Sequence, residues 1–545
     1  MTTRSVTWAG TRGGRWNHPV SRAAVSRLLL RSLLIVVLLA CWQAVGGHQW
    51  FAQGAVPSPH QVWDSLRANW GDYGPHLRAT LWTGLWGFLI GNAIGCVFAF
   101  LFLLWPTTAP VSRGLLITLF CMPIAIIAPL LGVMLPLESA KIVIASMWSI
   151  FNMQVALLLA MQQVPPGALA VVKSAGGGRL RQLLLVQGRA GLPGFLAALQ
   201  INAPATLLAA IFGDFIGGQK GIGIYLTGLI VSGNQSRIWA FSLVIAAIGA
   251  ALYIAFGLLR SLVTGSDINI AVAETVAAAA SRGARGWGTR GSGFARSLAS
   301  AVCGLALVLA AWWVFVSSVS LPSVIANSPL DVIHTFTGPR GPAVIDQIGA
   351  ALGSSGPLAL LGVVLGLLAA LALAVSATLA PWFTQLVMPF AMVFQSVPTV
   401  AFAPLLAITF GRGALTIVLV TILVTFFPAF VAISTGLASA PAVPGMVLKS
   451  VAASRLTMLR LYVVPQAMPY LLAAARLVIP LAILGVVLAE QLITGTGLGN
   501  LMSQAIGYQD FPMMWCITVV MIAISVVSYL AVETFERWYL ARRQQ

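Results

Sequence analysis

About twelve apolar runs, each close to 20 residues long, follow one another through the 545-residue chain. A helix of that length matches the hydrocarbon thickness of a bilayer. The runs show no strand-like alternation at barrel spacing, and lipid admits only helices or closed barrels. Only 8% of the residues are charged, against roughly 25% in soluble domains. The sequence therefore predicts an all-α polytopic membrane protein with about 12 transmembrane helices.

The net charge of +18 could indicate a nucleic-acid-binding protein, but its distribution argues against that class. With the N-terminus inside, 22 of the 30 Lys and Arg residues fall in or beside predicted cytoplasmic segments. This is the positive-inside bias of membrane proteins. We therefore expect contact with anionic lipid, no nucleic acid, and both termini in the cytoplasm.

The second half of the chain repeats the first half in an almost constant register, in which position 173 corresponds to position 449. One ordered register over most of both halves is hard to obtain by chance, so the sequence predicts two tandem six-helix modules. The matched pairs include Lys173/Lys449, Ser174/Ser450, Arg179/Arg455, Leu180/Leu456, Pro193/Pro469, Asp214/Glu490, Pro123/Pro398 and Pro129/Pro404.

Four segments are predicted along the chain. They are a basic cytoplasmic tail at 1–27, a first transmembrane module at 28–263, a cytoplasmic linker at 264–297 and a second module at 298–545. The first apolar run, 28–45, could also be read as a lipoprotein signal because it ends near Cys41. We favour an uncleaved span, because eleven further spans need a start with the N-terminus inside.

The segment 441–469 separates two long apolar runs and carries Lys449, Arg455 and Arg460. It is compatible with a helix between Gly445 and Val464, and the prolines at its ends are typical of helix starts and breaks. A basic connection between spans is expected on the cytoplasmic side. The simplest alternative is an ordinary connector with no partner.

The part of this segment from Lys449 to Pro469, followed by Arg476, Glu490 and Gly497-Leu498-Gly499, resembles the inner-membrane permeases of binding-protein-dependent ABC importers. The most similar branch serves nitrate, sulfonate, taurine and related solutes. The resemblance covers roughly 55–262 and 325–538. It implies two fused type I importer modules in a bacterial cytoplasmic membrane that move a small polar solute inward, such as a sulfonate or nitrate.

The resemblance also implies partners. Two ABC ATPase subunits beneath the membrane would bind ATP and Mg²⁺, and an extracytoplasmic solute-binding protein would deliver the solute, while this chain binds no cofactor. The basic segment of each half would be the loop that docks into an ATPase. The family glycine is kept as Gly176 but is Ala452 in the second loop, so we expect unequal docking sites. The predicted docking residues are Lys173, Ser174, Gly176, Arg179, Leu180, Pro193, Lys449, Ser450, Ala452, Arg455, Leu456, Pro465 and Pro469.

A second group of residues is predicted to line the pathway or its gate. Prolines inside the third span of each module should bend the helix beside a cavity, although a packing kink is the alternative. A charge inside a span, as at Arg476, is a functional candidate, and snorkelling to the membrane face is the alternative. Asp214 and Glu490, at the outer ends of spans, could form an outer gate or cap the interface. The full set is Pro123, Pro129, Pro398, Pro404, Gln200, Arg476, Asp214 and Glu490.

No catalytic constellation is recognisable, so the chain is predicted not to be an enzyme. The five histidines form no metal-spaced pair, and no Walker A sequence is present. A membrane-embedded enzyme would need clustered His, Asp, Glu or Cys at membrane depth. The other alternative is a secondary transporter without an ATPase, which would need coupling-ion sites in spans that hold almost no acidic residues.

Overall fold

The structure is a computed structural model that describes residues 36–37, 39–48, 56–105, 109–162, 164–264, 293–318, 322, 325–379, 403, 406–407, 409–438, 442–492 and 495–543. The predicted N-terminal tail and most of the predicted linker lie outside these residues. So does most of the third span of the second module, including Pro398 and Pro404.

Helices make up all the regular structure of the first half that is described. One π-helical turn, Leu183–Gln187, joins two of them. The helices are α1 (Pro59–Ala68), α2 (Trp70–Leu104), α3 (Ala109–Cys121), α4 (Ile124–Met134), α5 (Leu137–Gln162), α6 (Pro166–Ser174), α7 (Arg179–Gln182), α8 (Gly188–Asp214), α9 (Ile222–Ser232) and α10 (Gln235–Thr264).

The second half follows the same plan over its described residues, and its π-helical turn is Leu459–Val463. The predicted repeat is therefore visible in helix bounds as well as in sequence. The helices are α11 (Gly293–Ser318), α12 (Pro329–Thr337), α13 (Gly341–Leu379), α14 (Ala414–Ala438), α15 (Ala442–Ser450), α16 (Arg455–Met458), α17 (Val464–Leu492), α18 (Gly497–Gly507) and α19 (Phe511–Arg543).

Eight helices of the described chain are long and apolar enough to cross a membrane. They are α2, α5, α7–α8, α10, α13, α14, the π turn with α17, and α19. Three more predicted spans contain helix in the structure, at 39–47, in α11 and in the α3–α4 pair, which is broken at Pro123. The prediction of an all-α, multi-pass membrane protein is confirmed.

The repeat extends to individual hydrogen bonds. Ser58 and Ser328 each cap the short helix that follows, α1 and α12, with a reciprocal capping box and a proline at the first turn. The indole N–H of Trp42 donates to the Pro57 carbonyl at 2.9 Å, and that of Trp312 donates to the Asn327 carbonyl at 3.1 Å. Each short helix is thereby held against its first span.

Small residues let the central spans pack closely. A side chain at Gly91 would reach the Ser146 carbonyl of α5 at 2.5 Å, and Gly87 meets Ala145 in the same way. In the second half Gly362 and Gly366 face α14. Glycine at every fourth position of α2, at Gly87, Gly91 and Gly95, predicts a helix–helix seam, and the structure confirms it.

The two halves share one apolar core. Ile126 and Met134 of α4 lie in the same buried cluster as Leu484 and Val487 of α17. The third span of the first half therefore packs against the fifth and sixth spans of the second half, α17 and α19. The break at Pro123 lies at this junction.

Candidate functional site

The two predicted docking loops have the same backbone plan. Each contains a short helix (α6 or α15), one residue with a left-handed φ, a second short helix (α7 or α16) and a π-helical turn. The left-handed residues are Gly176, with φ of 73°, and Ala452, with φ of 50°. A left-handed residue ends a helix. The continuous helix that the sequence predicted between Gly445 and Val464 is thus interrupted at Ala452.

The docking loops present apolar side chains away from the protein. Val171 and its counterpart Val447 are 67% and 57% exposed. Leu185 and its counterpart Leu461 are exposed in the same way, as is Leu180. Exposed apolar patches outside a bilayer mark interaction surfaces, and the sequence predicts that these loops lie on the cytoplasmic side of the membrane. The repeat therefore produces two similar candidate contact surfaces.

Polar residues of the loops stabilise this backbone. The Ser174 hydroxyl donates to the Val171 carbonyl at 2.9 Å, and the Ser450 hydroxyl donates to the Val447 carbonyl at 2.8 Å. Arg179 donates to the Leu104 carbonyl at 3.3 Å, which ties the first loop to the end of α2. Lys173 is exposed at the end of α6. The backbones of Lys449, Arg455 and Leu456 occupy equivalent helical positions in the second loop.

Prolines near the ends of the docking loops, which are typical of helix starts and breaks, lie inside helices. Pro193 is within α8, and Pro469 is within α17, which also includes Pro465 in its first turn. The helices continue because a transmembrane helix tolerates the missing N–H when neighbouring groups and local distortions satisfy the freed carbonyl. Both helices begin directly after a π-helical turn, which is such a distortion.

We expect Ala452→Gly to stabilise the second loop by about 1 kcal/mol, because a left-handed φ costs an L-residue about 1–2 kcal/mol and glycine much less. The matched control is Gly176→Ala, where a methyl group meets nothing within 4 Å, so only the φ of 73° opposes it. It should destabilise the first loop by a similar amount. Amide hydrogen exchange of each loop measures both effects, and equal exchange in all variants would contradict the prediction.

In the second half, Glu490 at the end of α17 anchors the short helix α18. The Ser355 hydroxyl donates to one carboxylate oxygen of Glu490 at 2.7 Å, and the Gly499 N–H donates to the other at 2.8 Å. The Leu498 N–H donates to the Ser355 hydroxyl at 2.8 Å. The first N–H groups of α18 are thus satisfied by a buried carboxylate and a buried hydroxyl.

The first half builds the same anchor around Asp214. The Thr80 hydroxyl donates to Asp214 at 2.5 Å and accepts from the Ile222 N–H at 2.8 Å, while the Gly223 N–H donates to Asp214 at 3.3 Å. The buried Lys141 ammonium adds an ion pair at 3.6 Å. Thr80 and Ser355 were not predicted as site residues. They nevertheless occupy corresponding positions of the repeat, which is the signal that could have identified them.

The Gly-x-Gly sequence before each short helix is required by these anchors. Gly221 and Gly497 have positive φ, and a side chain there would overlap the carboxylate of Asp214 or Glu490. A side chain at Gly223 would lie 2.5 Å from the Ile211 carbonyl, and Gly499 faces the Val487 carbonyl even more closely. The anchors therefore need glycine at both positions.

Arg476 is 5% exposed and lies among carboxylates of α19. Its guanidinium is 3.2 Å from Glu536 and 3.8 Å from Glu533, and it also lies over the ring of Tyr529. The structure thus gives Arg476 ion-pair partners inside its own half of the chain. Neither glutamate was predicted from the sequence as a partner of Arg476.

In the first half, the contact between the fifth and sixth spans has its arginine on the sixth span instead of the fifth. Gln200 of α8 corresponds to Arg476, and Arg260 of α10 corresponds to Glu536, in the register that pairs Lys173 with Lys449. Arg260 is buried and donates to the Gln200 side-chain oxygen at 3.2 Å. The fifth and sixth spans of each half are therefore joined at one matched position, with the cation on opposite helices.

A cavity of about 60 Å³ lies between the two halves. Pro123 and Asn152 of the first half and Pro480 of the second half are among its described lining residues. Its volume could hold a few water molecules. Pro129 lies half-buried inside α4, six residues after Pro123 and nearly two turns farther along. The structure places Arg476, Asp214 and Glu490 elsewhere, so the predicted pathway residues are not brought together at this cavity.

Similarity to known proteins identifies the family of the second half. Residues 362–541 match the family described as binding-protein-dependent transport system inner membrane component. Residues 362–541 belong to this permease family. Membership implies an ATPase and a solute-binding protein as partners of the permease. Among the residues that the structure describes, no group of three His, Cys, Asp or Glu side chains could hold a metal ion.

Relatives of this permease match less than half of the chain each. A probable ABC transporter permease of Haemophilus influenzae is 29% identical over 227 residues, 41% of this chain and 93% of the relative. A riboflavin transport permease of Chloroflexus aurantiacus is 31% identical over 29% of this chain and 58% of its own length. The taurine transport permease of Escherichia coli is 29% identical over 37% of this chain and 74% of its own length.

Proposed function

We propose that this permease forms the complete membrane pathway of an ABC importer in one chain, with two docking loops that each receive an ATPase subunit. The observation that carries the proposal is the matched pair of exposed apolar surfaces, Val171 with Leu185 and Val447 with Leu461. A short helix with exposed apolar side chains suits the groove of a soluble partner. The concentration of Lys and Arg in the predicted cytoplasmic segments supports a cytoplasmic position for both loops and both termini.

In this proposal the ATPase subunits bind ATP and Mg²⁺, and their closure moves the docking loops. Each loop continues directly into a span, α8 or α17, whose far end anchors α9 or α18. Motion at a loop would thus reach the opposite membrane face along one continuous helix. The cavity between the halves, beside the break at Pro123, is the proposed place where alternating access opens a path.

The proposed solute is small and polar, and an external binding protein delivers it. The relatives are named for solutes as different as taurine and riboflavin, so similarity alone does not choose among them. Arg476 adds no preference for an anion, because Glu533 and Glu536 already surround it. Ligand identification on the binding protein is the direct measurement of the solute class.

Co-purification of the permease with its ATPase tests the docking surfaces. We expect Val171→Asp with Val447→Asp to abolish co-purification, since a carboxylate would be buried without a partner in each contact. The matched control is Val231→Asp in α9, which is 84% exposed on the opposite face and should leave the complex intact. Solute uptake that continues without any ATPase would contradict the proposal and favour a secondary transporter.

A further inference from the structure

A groove of about 1060 Å³ opens on the side of the first half, at the face opposite the docking loops. It is formed by the start of α2 and the turn that precedes α9. Its described lining residues include Pro75, Arg78, Trp82, Leu85 and Lys220. Two cations and no acidic side chain therefore line a groove that is otherwise apolar.

The groove lies across the boundary between water and hydrocarbon. The C-terminal part of α2, from Leu85 to Leu104, is long enough to cover the hydrocarbon core of a bilayer. Arg78 is then about 10 Å farther out at 1.5 Å per residue, which is the level of lipid headgroups. Trp82, which is 58% exposed, lies between them at the depth where tryptophan is enriched.

The apolar side of the groove continues onto the lipid-facing surface. Arg78, Trp82, Leu85 and Leu89 follow one another at helical spacing, and the last three are exposed apolar side chains. An occupant with a charged group beside Arg78 would therefore have an apolar surface directly below it. A phospholipid has this arrangement of phosphate and acyl chain.

Both cations are available for an anion. Arg78 and Lys220 are exposed, and neither forms an ion pair or hydrogen bond with any residue that the structure describes. By contrast Arg237, on the same face, is paired with Asp72 at 2.8 Å. The cations of the groove thus differ from a neighbouring arginine whose charge is already satisfied.

The repeat shows that these cations are not needed by the fold. In the repeat register Arg78 corresponds to Gly353 and Lys220 to Thr496. The second half forms the same helices and the same carboxylate anchor without either cation. At these two positions the positive charge is therefore a feature of the first half alone.

We propose that Arg78 and Lys220 bind the phosphate of an anionic phospholipid whose acyl chain lies along Trp82 and Leu85. With the docking loops in the cytoplasm, this lipid belongs to the outer leaflet. Two cations near a membrane surface favour an anionic headgroup additively. The site is separate from the docking loops and from the cavity at Pro123, so it can be tested without transport.

Native mass spectrometry of the purified full chain tests the site with dioleoylphosphatidylglycerol and dioleoylphosphatidylcholine. We expect wild type to retain phosphatidylglycerol more strongly. Arg78→Gly with Lys220→Thr, the residues of the second half, should weaken its binding by about 30-fold. The matched control is Arg412→Gly, an exposed cation on the same face of the second half, which should leave the affinity unchanged.

Two further measurements identify the occupant. Water-soluble glycerophosphoglycerol should not displace the bound lipid at equal concentration, because it lacks the acyl chains that would contact Trp82. Displacement would overturn the proposal and indicate a site for a free anion. Equal retention of both lipids, or equal retention by wild type and the double variant, would also overturn it. So would a double variant that loses affinity for the solute-binding protein while keeping phosphatidylglycerol.

Discussion

Arg476→Ala is expected to destabilise the second half of this permease by about 3–5 kcal/mol, because removing one partner of a buried ion pair leaves an uncompensated charge. Glu536 is 1% exposed and its carboxylate is 3.2 Å from the Arg476 guanidinium. The loss should appear as a large fall in the thermal unfolding midpoint of the purified chain and as reduced yield from the membrane.

The matched control for Arg476 is Arg537. Arg537 is 2.9 Å from Glu533, closer than Arg476 is, but its side chain is 31% exposed. Because water screens a partly exposed ion pair, Arg537→Ala should lower the free energy of unfolding by less than about 1 kcal/mol. Equal effects of the two alanine substitutions would contradict the view that burial, and not proximity alone, makes the Arg476 contact important.

The first half suggests a compensating variant. Arg476→Gln with Glu536→Arg would give the second half the same pair as Gln200 and Arg260. The double variant should be more stable than the sum of the two single substitutions, by an interaction energy of about 1–3 kcal/mol in a double-mutant cycle. Additive single effects would show that the matched position does not join the two spans.

Gly499→Ala should release the short helix α18 from its anchor. The added methyl group would overlap the Val487 carbonyl, which belongs to the backbone of α17 and cannot rotate away. Either α18 moves or the hydrogen bond from the Gly499 N–H to the Glu490 carboxylate is lost. We therefore expect the free energy of unfolding to fall by about 1–3 kcal/mol. The expected consequences are a lower unfolding midpoint and faster hydrogen exchange in residues 497–507.

The chain offers internal controls for this prediction. Gly507 lies at the other end of α18 and has nothing within 4 Å of an added methyl group, so Gly507→Ala should be tolerated. In the first half, Gly223→Ala should reproduce the effect of Gly499→Ala, because its methyl group would lie 2.5 Å from the Ile211 carbonyl. Gly228→Ala, which is also unobstructed, is its control. A fully stable Gly499→Ala protein would refute the proposed anchor.

The sequence predicted the features that depend on local pattern. Apolar length and low charge predicted the spans, glycines at every fourth position predicted the α2–α5 seam, and the repeat predicted matched loops. The same reasoning failed at Pro469 and Ala452. Proline and alanine propensities describe an isolated helix, whereas the π-helical turn before α17 and the left-handed φ at residue 452 depend on the surrounding loop.

Local sequence patterns could not predict contacts between residues that lie far apart in the chain. Asp214 and Glu490 were recognised as a pair, but their hydroxyl partners Thr80 and Ser355 lie far from them along the chain. The sequence by itself determined that this chain spans a membrane as helices in two matched halves, because so much apolar surface can be buried only in a bilayer and the two halves repeat one register. Only the tertiary structure decided which buried charges meet, since a side chain's partner is set by packing across helices and not by its neighbours in sequence.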